Sequence, residues 1–159
     1  MRLRSSATTT APPLRRLLSV VAVTLAVVGF GAGCESTEAE RNEVISRVNR
    51  TRVDNGLPEL TANVTLSIKA DAWARKLRDE CGLSHSRLSD GAPKEWNFLG
   101  ENVGYGGTID QVHEAYLDSP GHRANIVDPK FTTMGAAAVW GDCNGQRRVF
   151  TVQVFMQPL

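Results

Sequence analysis

The first 34 residues of this 159-residue chain contain no acidic side chain, and the chain carries no Gly-x-Gly-x-x-Gly loop, Walker lysine or helical His-Glu-x-x-His pair. Those absences leave no phosphate cradle and no helical zinc-protease signature on which to build a function. No serine is framed by a Gly-x-Ser-x-Gly elbow, so a hydrolase drawn from Ser84, Ser86 or Ser119 with a histidine and Glu101 has no local support. No internal repeat is present. With three cysteines and three histidines, any disulfide or metal site must come from very few residues.

What is present divides at Cys34. Arg2, Arg4, Arg15 and Arg16 accompany the apolar run LLSVVAVTLAVVGF, the pattern of a secretory signal, and residues 1–33 are read as one. The charge-free run from Leu17 to Cys34 is only 18 residues, the lower edge of a bilayer span, so removal of the segment is expected over a permanent membrane helix. GAGC followed by ESTEAE resembles a bacterial lipobox, in which Cys34 is lipidated and becomes the new N-terminus. Gly31 departs from the leucine-like residue usual there, and cleavage nearby by ordinary signal peptidase is the alternative. The reading gives a lipoprotein signal at 1–33, a short tether at 34–40 and one domain at 41–159. The protein is then exported, to the outer face of the cell membrane through the lipid or as a secreted monomer.

Removing Cys34 leaves Cys81 and Cys143 as one candidate disulfide, the expected state of a cysteine pair outside the cytoplasm. Closing that loop stabilises by about 4 kcal/mol in the chain-entropy model. Four of the 18 basic residues leave with the signal, so the mature chain has 14 basic against 17 acidic residues, a net charge of −3. This argues against nucleic acid as a partner.

Helical signals follow one another in the mature chain. Thr37 and Glu40 form a capping box ahead of the stripe Val44, Ile45 and Val48, and Asn55-Gly56 stops that helix. In TANVTLSIKADAWARKLRDECG, residues Leu66, Ala70, Trp73, Leu77 and Cys81 share one face, which places Cys81 on the buried side just before Gly82. A polar loop from about Ser86 to Phe98 leads to LGENVGYGG, where the backbone must bend or approach something closely. Thr108 and Gln111 cap a third helix with Ile109, Val112 and Tyr116 inward. Ser119 is read as N-cap and Pro120 as the first residue of a short fourth helix.

The C-terminus switches to a period of two. MGAAAVW and RRVFTVQVF read as strands joined through GDCNGQ, with Asp142, Asn144 and Gly145 as turn residues. Phe150, Val152, Val154 and Met156 make one apolar face, and Val149, Thr151 and Phe155 make the other apolar as well. Such a sheet needs cover on both sides, which predicts an α+β fold, a three-layer α-β-α sandwich around a small antiparallel sheet.

His85, Glu101 and His122 lie in a loop, a glycine-rich segment and a helix start, the contexts from which functional side chains project. Two histidines and a glutamate form a known zinc set when the fourth position stays open. His122 in a first helical turn feels the positive helix end, which favours the neutral ring. The plainer reading makes both histidines hydrogen-bonded ties between loops and core, and Glu101 an anion satisfied by backbone N–H groups. His113 falls outside its helix's apolar stripe and is expected to be solvated.

Taken in order across residues 41–156, VNRTRVDNGLPELTANVTLSIKADAWA, LSHS, GENVGYG, IDQVHEAYLDSPGHRANIVDPKFTTMGAAAV and FTVQVF resemble the CAP superfamily in its short bacterial SCP-like form. That superfamily includes cysteine-rich secretory proteins, antigen 5 and plant pathogenesis-related proteins. The resemblance implies an α-β-α sandwich with a cleft built on two histidines and two acids, placed here at His85, Glu101 and His122. The second acid is implied soon after the aromatic residue matching Tyr116, where the chain offers Asp118 and Ser119 and no glutamate; Glu114 precedes the aromatic. Family behaviour implies a binding module for an envelope or lipid ligand, with zinc or another divalent metal at the cleft. A metal-dependent hydrolase or protease, a structural envelope protein and a sterol binder are the alternatives.

Overall fold

The computed structural model describes residues 36–159; the signal at 1–33 and the lipidation site Cys34 lie outside them. In chain order the elements are α1 (Glu38–Asp54), β1 (Thr61–Ala62), α2 (Val64–Glu80), β2 (Trp96–Gly106), α3 (Ile109–Asp118), α4 (Pro120–Ile126), β3 (Thr133–Cys143) and β4 (Gln146–Pro158). The sheet order is β1-β3-β4-β2. β4 runs antiparallel to both neighbours, and the two-residue β1 adds to β3 in parallel.

The hairpin of β3 and β4 organises the layers. Asn144 and Gly145 have φ of 53° and 76°, the two positive values of a two-residue turn whose twist suits the strands it joins. Along β4, Phe150, Val152, Val154 and Met156 meet Leu66, Ala70, Ala74 and Leu77 of α2. Val149 and Phe155 belong to the opposite core, with Val44 and Val48 of α1, Val112 and Tyr116 of α3, and Ile126 of α4. The α-β-α sandwich is therefore formed, with α2, among the described residues, the one helix on its face. Arg52 of α1 is fully buried and donates to the carbonyls of Pro58, Ile126, Asp128 and Phe131, so one guanidinium ties α1 to the segment around α4.

Several expectations are corrected. Residues 36–40 are not tether: Ser36 is buried, its N–H donates to Asp71 at 3.0 Å, and its hydroxyl accepts from the Ala138 N–H. The helix already starts at Glu38, capped by the foreseen box of Thr37 and Glu40. Cys81 is not a buried helical residue but the exposed C-cap of α2, in the left-handed region at φ 47°, and from there it is bonded to the buried Cys143. The glycine-rich segment is strand β2, and of the two expectations for it the close approach holds and the bend does not. Ser119 occupies the N-cap of α4 without a side-chain cap bond, so Pro120 at the first turn supplies the local preference.

His113 is buried, not solvated. Its Nε2 lies 2.9 Å from the Thr51 hydroxyl, because α1 packs over that side of α3. Burial is the main cause that lowers its pKa from the ordinary 6.5, with Glu114 and Asp110 opposing and Arg47 assisting. The unfolded chain then binds the proton first, so this contribution to stability is complete above about pH 6.5 and is lost as pH falls through the lower folded value. Denaturant midpoints measured against pH are expected to fall on that acidic side, with a shallower slope in His113→Gln. A second test concerns the contact of α2 with β3: a Cβ on Gly135 would come within 2.2 Å of the Leu66 backbone carbon and 2.3 Å of the Ser67 nitrogen. Gly135→Ala is expected to destabilise by about 3 kcal/mol in urea unfolding, since neither backbone can give way cheaply.

Candidate functional site

β2 is an edge strand, and its alternation sends successive side chains into different layers. Gly100, Asn102, Gly104 and Gly106 face α3 and α4. A Cβ at Gly100 would meet the Phe131 ring at 2.9 Å and one at Gly104 the Tyr116 ring at 2.9 Å, so the glycines let these rings lie directly on the strand. Glu101 and Val103 face α2. The motif Gly-Glu-Asn thus places a carboxylate on one side of an open edge and an amide on the other.

Glu101 is buried with its side chain 1% exposed, while the side chain of His85 is 59% exposed. His85 Nδ1 lies 2.9 Å from Glu101 Oε1, which also accepts from the Ser86 N–H at 2.8 Å; the Ser86 hydroxyl donates to Oε2. The Ser86 oxygen in turn accepts from Lys69 Nζ at 2.9 Å, and the same ammonium donates to the carbonyls of Arg87 and Asp90. Trp73 donates its indole N–H to the Ser84 carbonyl. A loop without regular structure is thereby pinned to α2 at several points, and its histidine is presented with Nδ1 inward and Nε2 outward. Burial lowers the Lys69 pKa from its usual value, Glu101 and then Asp90 opposing that shift.

Around the edge stands the second histidine. The His122 ring packs edge-on against Tyr116, centroids 5.0 Å apart. Asn102 Nδ2 donates to the His122 carbonyl and to Gln153 Oε1, and Asn125 Nδ2 donates to Asn102 Oδ1 and to the Glu101 carbonyl. These amides lock α4 to β2. Tyr116 is held by its hydroxyl at 2.8 Å from Thr151 Oγ1, and burial raises its pKa well beyond the ordinary value. The His122 pKa is lowered first by burial and then by His85, so the neutral ring foreseen from the helix start has these two causes.

The expected metal set of His85, Glu101 and His122 is not what this geometry forms. The Glu101 carboxylate is taken up by His85 and Ser86, and among the described residues no three His, Cys, Asp or Glu side chains stand grouped to hold a metal ion. Glu101 stands behind His85 as the carboxylate that sets its tautomer and orientation, and His122 is near enough for His85 to lower its pKa. Lys69, Asn102 and Asn125 were not singled out from sequence, and Ser86 only as a nucleophile candidate. Lys69 had a usable signal, since it lies beside Ala70 on the apolar arc of α2.

A family model described as the cysteine-rich secretory protein family, CAP, matches residues 45–155. The chain belongs to the CAP family. Among CAP relatives, the uncharacterized protein YkwD of Bacillus subtilis (strain 168) is 31% identical over 113 residues, 65% of this chain. The chain spans 44% of that relative's length. Among solved structures, an outer surface protein of Borrelia burgdorferi aligns with a TM-score of 0.62 at 20% identity, covering 74% of this chain and 92% of that one. An extracellular protein containing an SCP domain from Bacillus anthracis aligns at 0.56 and 23%, covering 74% and 41%. At these identities the structures speak for the CAP fold alone.

The relay from Lys69 through Ser86 to Glu101 gives a direct test. Ser86→Ala deletes the hydroxyl that serves both charged neighbours and is expected to destabilise the domain by about 2 kcal/mol in chemical denaturation. The His85 ring resonances should move with it in NMR spectra, while those of His113, on the other side of the sheet, stay in place.

Proposed function

We propose that this CAP domain is an exported, lipid-anchored binding module of the bacterial envelope, whose recognition groups are the two imidazoles of His85 and His122. The observation that supports it most is the presentation of His85: an exposed ring whose inner nitrogen is fixed by a buried, fully hydrogen-bonded carboxylate. A structural histidine has no need of an outward, orientated nitrogen. Export rests on the basic and apolar first 33 residues and on the lipobox-like GAGC, and agrees with the descriptions of two fold relatives as an extracellular protein and an outer surface protein.

A divalent ion entering here would have His85 and His122 as its protein donors, fewer than the three or four of a protein zinc site, and would need a ligand to complete its shell. The chain's own residues set the rest. Glu101 keeps His85 in one tautomer, Tyr116 and Asn102 hold His122, and no glutamate follows Tyr116 to serve as a general base.

Calorimetric titration of the full mature chain with zinc, beside a His85→Ala/His122→Ala variant shown to be folded, tests the site. Binding in the parent should weaken at least about tenfold in the double variant, or about 1.4 kcal/mol. Equal titration curves from the two folded proteins would assign both histidines to structure and overturn the reading.

A further inference from the structure

The outer face of the first half of α2 is apolar and uncovered. Val64 is 77% exposed and Ile68 65%, and with the exposed Ala72 they recur every four residues along the helix. Beyond Ala72 the same face turns charged, with Arg75, Lys76 and Asp79. Ile68 forms a wall of two grooves at once. One, of about 320 Å³, runs toward the loop after α2 and is lined by Trp73, Thr65 and the Lys69 stem; the other, of about 220 Å³, runs toward α1 and is lined by Ile45, Ala62 and Arg41. Val64, Ile68 and Ala72 thus form one contiguous apolar ridge between two grooves, where scattered single residues would need no explanation.

The point where the chain enters the fold lies on this helix. Ser36 is bonded through its N–H to Asp71, one turn from Ile68 and next to Ala72, and through its hydroxyl to Ala138 of β3. Only Glu35 separates it from Cys34, so the anchor cysteine lies within about 7 Å of Ser36 even with the chain fully extended. A bilayer that receives lipid on Cys34 is therefore joined to the docked Ser36 through a single residue.

We propose that the Val64, Ile68 and Ala72 face of α2 is a membrane-contact surface: a lipid on Cys34 seats the domain flush on the phospholipid bilayer, with Ile68 and its two grooves in the interfacial region. The inference rests on the lipid-anchored reading above. α2 then faces the lipid, and α1, α3 and α4 cover the opposite face of the sheet. Ser86 and Lys69, which hold Glu101 behind His85, line the larger groove, so the His85 loop borders the bilayer, while His122 sits on α4 in the opposite layer.

The test uses the full chain, processed in a bacterial host and reconstituted in phosphatidylglycerol and phosphatidylethanolamine vesicles, with the mature N-terminus read by mass spectrometry. Of the three tryptophans, Trp73 lines the larger groove and Trp140 packs against the core on the other face of the sheet. Trp96→Phe/Trp140→Phe leaves Trp73 as the sole tryptophan, and Trp73→Phe/Trp96→Phe leaves Trp140. Vesicles of phospholipid brominated in the upper acyl chain should quench Trp73 emission at least twofold and leave Trp140 unchanged. Should the tryptophan replacements fail to fold, Ile68→Lys in the otherwise unaltered chain serves in their place, and its total quenching should drop below that of the parent. Lipidated Cys34 with Trp73 unquenched, or with quenching equal in Ile68→Lys, overturns this inference and leaves the anchor standing. A mature N-terminus other than lipidated Cys34 overturns both.

Discussion

Everything in this fold depends on a β-hairpin that is apolar on both faces. β4 buries Phe150, Val152 and Val154 on one side and Val149 and Phe155 on the other, so neither side can be left to water. At roughly 2 kcal/mol for each large side chain kept from solvent, the burial on either face outweighs any single polar contact in the molecule. Helices must close both sides. The close seat of α2 on Gly135 and the capture of α1 by four carbonyls through Arg52 are the local consequences.

The site arises where this sandwich ends. Among the described residues β2 has a strand neighbour on one side only, and its side chains alternate between the α2 layer and the α3 and α4 layer. Groups from both layers therefore meet around a single strand edge. A buried carboxylate is tolerated there because it accepts from an imidazole, a backbone N–H and a hydroxyl, with a partly desolvated ammonium one bond further on. The amides of Asn102, Asn125 and Gln153 satisfy one another across the other side of the strand. Such paired networks make the position of each histidine a property of the core and not of its own loop.

The same closeness of layers explains why glycine is concentrated in β2. Each glycine facing α3 and α4 admits an aromatic or branched side chain onto the backbone, and Tyr116 on Gly104 then becomes the surface against which His122 packs. The glycine count of LGENVGYGG left bending and close approach both open. The strand was hidden because close approach and bending call for the same residue, and only the neighbours distinguish them.

Much was legible from the residues alone. The capping box of α1, the cap of Thr108 on α3, the helical spacing of Leu66, Ala70, Trp73 and Leu77 in α2, the hairpin and the two apolar faces of β4 are local patterns whose physics acts within a few residues, and they imply the α-β-α layers. His85, Glu101 and His122 could be picked out by residue type and context, and the cysteine pairing by elimination. Other outcomes came only from packing between distant segments: the burial of His113 under α1, the left-handed Cys81, the docking of Ser36 on α2, and the carboxylate engaged by Ser86 instead of kept free for a metal. Periodicity says which side of an element is buried, but the partner each polar group finds there depends on where the other layer falls, and that is decided by the tertiary structure.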